Sequence, residues 1–149
     1  MKVIKVLILI MAITMLIGCT NASTLKRSKF DDENVVYDFT TESPKVTVGM
    51  EIWENGKKKD DGSTVSLNLR EKKGKIILSF DEEARYKIIC GGESASINDD
   101  YKANAAVGID EVDVLDKAYF YARSKSEVVE DPRECKDLTY YYYVKFGEK

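Results

Sequence analysis

From residue 33 onward, apolar side chains recur at every second position in short runs, and turn residues separate the runs. A strand places alternate side chains on one face, whereas a helix would scatter this pattern around its circumference. The chain is therefore expected to hide one face of each strand against another sheet. No amphipathic helical stretch of ten residues or more interrupts the alternation.

The runs are specific enough to assign. Residues 35–39 form one strand, and 45–53 another with Val46, Val48, Met50 and Ile52 on one face. Asn55-Gly56 then predicts a type I′ hairpin, because both residues tolerate positive φ and the turn matches strand twist. The return arm starts at Lys57 and is expected to turn again at Asp60-Asp61-Gly62. Further strands are read at 64–69, 76–80, 85–90 with Tyr86, Ile88 and Cys90 inward, and 118–122 with Ala118, Phe120 and Ala122 inward. Between 93 and 117 a loop plus strand is preferred to a short helix, and Val128-Val129 reads as a short edge strand or bulged segment. In the last run, 139–146, Tyr140, Tyr142, Val144 and Phe146 share the core face, leaving Tyr141, Tyr143 and Lys145 to solvent. Eight or nine strands at this spacing predict an all-β, antiparallel β-sandwich over 33–149, with a small β-barrel as the alternative.

The first nineteen residues follow a different logic. Lys2 and Lys5 precede the apolar run 6–17, which is shorter than the roughly 20 residues needed to cross a bilayer and has the size of a signal-peptide core. The run ends in Leu16-Ile17-Gly18-Cys19, which resembles the lipobox of bacterial lipoproteins. That resemblance implies cleavage after residue 18, acylation of Cys19 (palmitate among the chains such proteins carry) and an extracytoplasmic domain anchored to the cell membrane. Two acyl chains hold a protein durably where one does so marginally. Residues 19–32 then read as a lipidated N-terminus and polar tether, its basic trio Lys26, Arg27 and Lys29 either solvated or lying against anionic headgroups. Beyond the lipobox, the chain resembles in composition the small, mostly uncharacterised cell-envelope lipoproteins of Gram-positive bacteria.

Composition excludes several chemistries. There is no histidine, which removes His-centred zinc sites and Ser-His-Asp triads. Losing Lys2 and Lys5 with the signal would take the formal charge from −3 to −5, the wrong sign for nucleic acid. Tyr121 and Lys125 match a YxxxK spacing, and Ser23 and Lys26 an SxxK spacing, but neither has the partner motifs such enzymes need. The carboxylates Asp99, Asp100, Asp110, Glu111, Asp113 and Asp116 would supply hard oxygen ligands for calcium if adjacent loops brought them together, but 110–116 does not match an EF-hand loop and charge runs at turns are usually solvated. With Cys19 consumed by lipid, Cys90 and Cys135 remain as an even pair that an oxidising compartment would allow to bridge, although Cys90 also fits as a small core residue.

Recognition, without catalysis, cofactor or metal, is the expected class of function. Trp53 is expected to point outward beside the hairpin and, with Tyr121, Tyr141 and Tyr143, to offer an aromatic surface; Tyr101 and Tyr119 are further candidates. The expected partners are the membrane, through lipid on Cys19, and an envelope protein or glycan. The alternatives are a structural or inhibitory envelope protein acting on a partner enzyme and, more remotely, an envelope hydrolase.

Overall fold

Alternating runs sort into sheets because each strand has one apolar face to hide. The computed structural model describes residues 22–31, 34–80, 84–99, 103 and 105–147. Among them are eleven strands: β1 Ser23–Phe30, β2 Asn34–Thr40, β3 Lys45–Glu54, β4 Lys57–Asn68, β5 Lys73–Ser79, β6 Ala84–Cys90, β7 Glu93–Asp99, β8 Ala105–Gly108, β9 Glu111–Val114, β10 Lys117–Ser124 and β11 Thr139–Phe146. They form a six-stranded sheet, ordered β7-β6-β5-β2-β1-β9, and a five-stranded sheet, ordered β4-β3-β11-β10-β8. Every pairing is antiparallel, and the two sheets pack as a β-sandwich.

The inner faces supply one shared core. Leu25, Val35, Tyr37, Phe39, Ile76, Leu78, Tyr86 and Ile88 from the larger sheet meet Val46, Val48, Met50, Phe120, Tyr142 and Val144 from the smaller. Tyr37 ties the layers together: its buried hydroxyl lies 2.9 Å from the Phe120 carbonyl and 3.0 Å from that of Ile109. The Asn55-Gly56 hairpin forms as expected, with φ of 52° and 67°. The core alternation expected at Val46, Val48 and Met50, in 85–90 and on the core face of 139–146 is present as well, whereas Ile52, also expected inward, is half-buried and outside the core cluster.

The largest correction concerns the tether. Residues 23–30 are an interior strand, paired with β2 on one side and β9 on the other, and Leu25 is 0% exposed. The sandwich therefore begins at Ser23 rather than at 33. The pattern was hard to read because β1 carries only two apolar residues in register with the core, and a bulge separates them. Pairing skips Ser28, so Phe30 rather than Lys29 stands opposite buried Val35. The basic trio also has partners: Arg27 bonds to Asp110 and to the Gly108 carbonyl at 3.0 Å, Lys26 lies 3.9 Å from Glu111, and Lys29 2.6 Å from Asp31.

Three smaller expectations change. Asp60-Asp61-Gly62 does not turn; β4 runs straight through it, absorbing the irregularity as bulges against β3. Cys90 and Cys135 are both free and belong to different apolar clusters, Cys90 in the shared core with its thiol 3.3 Å from the Lys73 carbonyl, so no disulfide joins them. Val128-Val129 is not a strand but part of a loop over the smaller sheet. The signal segment and lipobox, together with Asp100 and Tyr101, lie outside the described residues. No helix among the described residues is long and apolar enough to cross a membrane.

Candidate functional site

The outer face of the five-stranded sheet carries most of the aromatic side chains proposed from sequence. Cross-strand pairing puts Glu51 opposite Tyr141, Trp53 opposite Thr139, and Tyr143 between Gly49 and Tyr119. Gly49 makes room for the Tyr143 ring, since a Cβ at that position would stand 2.5 Å from its tip. Lys117 lies with its ammonium 4.2 Å from the Tyr143 ring centroid and 4.8 Å from that of Tyr119.

Glu51 organises this face although it is only 4% exposed. One carboxylate oxygen accepts from Trp53 Nε1 at 3.0 Å and from the Tyr119 hydroxyl at 2.5 Å, and the other accepts from Lys117. Burial pushes the carboxyl upward, but the bonds from Lys117, Tyr119 and Trp53 outweigh it, so its pKa falls below the ordinary value. The Tyr119 phenol moves the other way, raised by burial and by donating to Glu51. An ionised Glu51 engaged on both oxygens positions the Trp53 indole, which meets Tyr119 edge-on with centroids 6.4 Å apart.

The loop 125–138 folds back over the other half of the face. Gly56 N donates to the Cys135 carbonyl at 2.8 Å and Asn55 N to that of Lys136 at 3.1 Å, so the hairpin anchors the loop. A short 3-10 turn, Pro132–Glu134, is capped by Asp131, whose carboxyl is held down to about 2 by hydrogen bonds from Arg133. Beneath the loop, Ala122, Cys135 and Tyr141 form a second apolar cluster, joined by Val107, Val128, Val129 and the edges of Trp53 and Tyr119. Tyr141, expected to be solvated, is instead fully buried, its hydroxyl donating to the Val129 carbonyl at 2.7 Å.

An open cleft of about 500 Å³ remains between sheet and loop, with Trp53, Tyr119 and Ile109 on one side and Glu130, Asp131, Pro132 and Arg133 on the other. Of the four aromatics proposed, Trp53 lines it, Tyr143 belongs to the adjoining Glu51 cluster and Tyr141 lies under the loop. Tyr121 is on the opposite face. A bulge in β10 between Tyr119 and Tyr121 shifts the register, turning both Phe120 and Tyr121 inward and sending Ala122 outward. Glu51 and Lys117 were not singled out from sequence. The available signal was Glu51 two positions before Trp53, which places the carboxylate and the indole on the same side of a strand. Of the carboxylates considered for calcium, Asp110 and Glu111 face Arg27 and Lys26, and no three potential metal ligands gather among the described residues. No family model matches the chain, and neither a curated protein nor a solved structure matches it.

Proposed function

We propose that this chain is a membrane-anchored, extracytoplasmic lipoprotein acting as a non-catalytic binding module, with the Trp53–Tyr119 cleft as its recognition site and a neutral oligosaccharide as its ligand class. The observation that carries this reading is the direction of the strands. β1 starts at Ser23, beside Thr41 and Val114, whereas Trp53 stands at the opposite end of the strands, near Thr139 and the loop 125–138. Only Thr20, Asn21 and Ala22 separate Ser23 from Cys19, a reach of at most about 14 Å even when fully extended. A lipid on Cys19 would thus hold the Ser23 end against the membrane and turn the cleft outward. The cleft suits a sugar: an indole and a phenol offer flat apolar surface, while Glu130, Asp131 and Arg133 supply polar groups at the edge. A concave cleft supports recognition better than it supports the alternative of a protruding inhibitory loop.

The sole tryptophan makes the orientation measurable. The lipidated chain, reconstituted in phosphatidylcholine vesicles, should have its Trp53 emission quenched by aqueous iodide or acrylamide and not by brominated acyl chains. Cys19→Ser should remain in the aqueous phase and incorporate no labelled fatty acid. Quenching by brominated lipid would overturn the orientation, and equal labelling of both chains would overturn the anchor.

A further inference from the structure

A second site lies between the sheets, at the same end of the molecule as Trp53 but on the inner face. Arg123, opposite Tyr140 in β11 and Ala106 in β8, points inward because the β10 bulge reverses the alternation. It is 6% exposed, and its Nη1 has no hydrogen-bond partner among the described residues. Arg27, Arg70 and Arg133 each pair with a carboxylate. The most buried of these arginines is the one without such a partner, and leaving a guanidinium desolvated and uncompensated is costly.

The surroundings define what would relieve that cost. The guanidinium lies 3.9 Å from the Phe80 ring centroid, and Phe80 stacks on Tyr121 at 5.5 Å with the rings 15° apart. Stacking occupies the guanidinium's face and leaves its edge for in-plane hydrogen bonds, the geometry a carboxylate matches. Arg123, Phe80 and Tyr121 line a cavity of about 320 Å³ with Phe30 and Ala105. Asp31, also lining it, gives its carboxylate to Lys29 at 2.6 Å and to the Asn34 amide at 2.7 Å.

We propose that this cavity binds a small aromatic carboxylate, its ring lying along Phe30 and the outer edge of the Phe80–Tyr121 pair, since Phe30 and Tyr121 already meet with centroids 6.3 Å apart, and its carboxylate on the edge of Arg123. One guanidinium matches one negative charge, and Asp31 disfavours a dianion such as a phosphate monoester. The site is independent of the oligosaccharide cleft, which lies on the other face of the five-stranded sheet.

The test is a titration of the folded chain with benzoate, followed by the Ala105 and Ala106 amide and Arg123 Nε resonances. Saturable shifts are expected, with benzamide and acetate each binding at least tenfold more weakly. Arg123→Gln should abolish the benzoate response while retaining amide dispersion, Arg123→Lys should weaken it, and Trp53→Ala should leave it unchanged. Should Arg123→Gln fail to fold, the preference for benzoate over benzamide in the unaltered chain and the weaker benzoate binding of Arg123→Lys decide the matter. Equal binding of benzoate and benzamide, no saturable response, or an unaltered response in folded Arg123→Gln would each overturn the proposal.

Discussion

The two sheets obey the same alternation, yet their outer faces are used differently. On the six-stranded sheet the outer face is charged and solvated: Lys75 pairs with Asp38 across β5 and β2, and Lys26 approaches Glu111 across β1 and β9, both on exposed side chains. On the five-stranded sheet the same face holds a buried carboxylate, two clustered tyrosines and the tryptophan, and a fourteen-residue loop seals a second apolar cluster over it. A plain outer face needs only to be soluble. A face that buries Glu51 and half-covers Trp53 bears a desolvation cost that its hydrogen bonds must offset, and this contrast is why we propose it as the recognition surface.

The largest expected effect tests how much of the plain sheet depends on β1. Deleting residues 20–32 removes an interior strand and exposes the edges of β2 and β9 together, so the 33–149 fragment should lose its cooperative fold and aggregate. Circular dichroism and amide dispersion will show this; a well-folded fragment would mean that β1 is dispensable.

Next in size is the second cluster. Tyr141→Ala empties a fully buried position and should cost about 3–4 kcal/mol in denaturant unfolding, as in a main-core site. A loss below about 1 kcal/mol would show that the loop 125–138 lies loosely on the sheet.

Glu51→Gln should cost on the order of 2 kcal/mol at neutral pH, since charge-assisted hydrogen bonds to Lys117, Tyr119 and Trp53 weaken together. Because the folded pKa of Glu51 lies below its unfolded value, its contribution is full above the unfolded pKa and disappears as pH falls through the folded one. The gap between Glu51→Gln and the unaltered chain should therefore narrow between pH 5 and the acid limit of folding. A constant gap would exclude the ionised carboxylate as its source.

At the small end, Asp38→Asn removes an exposed pair on the plain face and should change stability by no more than about 0.5 kcal/mol. A larger change would erase the contrast between the faces.

Strict period two decides which strands are legible in the sequence. Strands such as β3, β6 and β11 announce themselves because Val46, Val48 and Met50, or Tyr86, Ile88 and Cys90, keep strict period two. β1 does not, since Leu25 and Phe30 are five apart and fall on one face only through the bulge at Ser28. The same effect hid Tyr121 and Arg123, whose inward direction depends on one extra residue at Phe120. Bulges invert every side chain that follows them, and alternation alone carries no sign of where they occur. The cleft was half legible: Trp53 pointed outward as its register required, but its opposite wall comes from residues 130–133, distant in sequence and joined to it by the hairpin's bonds to residues 135 and 136.

The central claim is that the elaborated face, and Trp53 in particular, receives a ligand. Titrating the folded chain with neutral β-linked oligosaccharides, such as chitotetraose and cellotetraose, while following Trp53 emission tests this most directly. The account predicts a saturable change in emission that is lost in Tyr119→Phe, which removes the hydroxyl bonded to Glu51, and unaffected by Asp38→Asn. Unchanged emission across the oligosaccharides in a chain whose Trp53 remains accessible to acrylamide would contradict it.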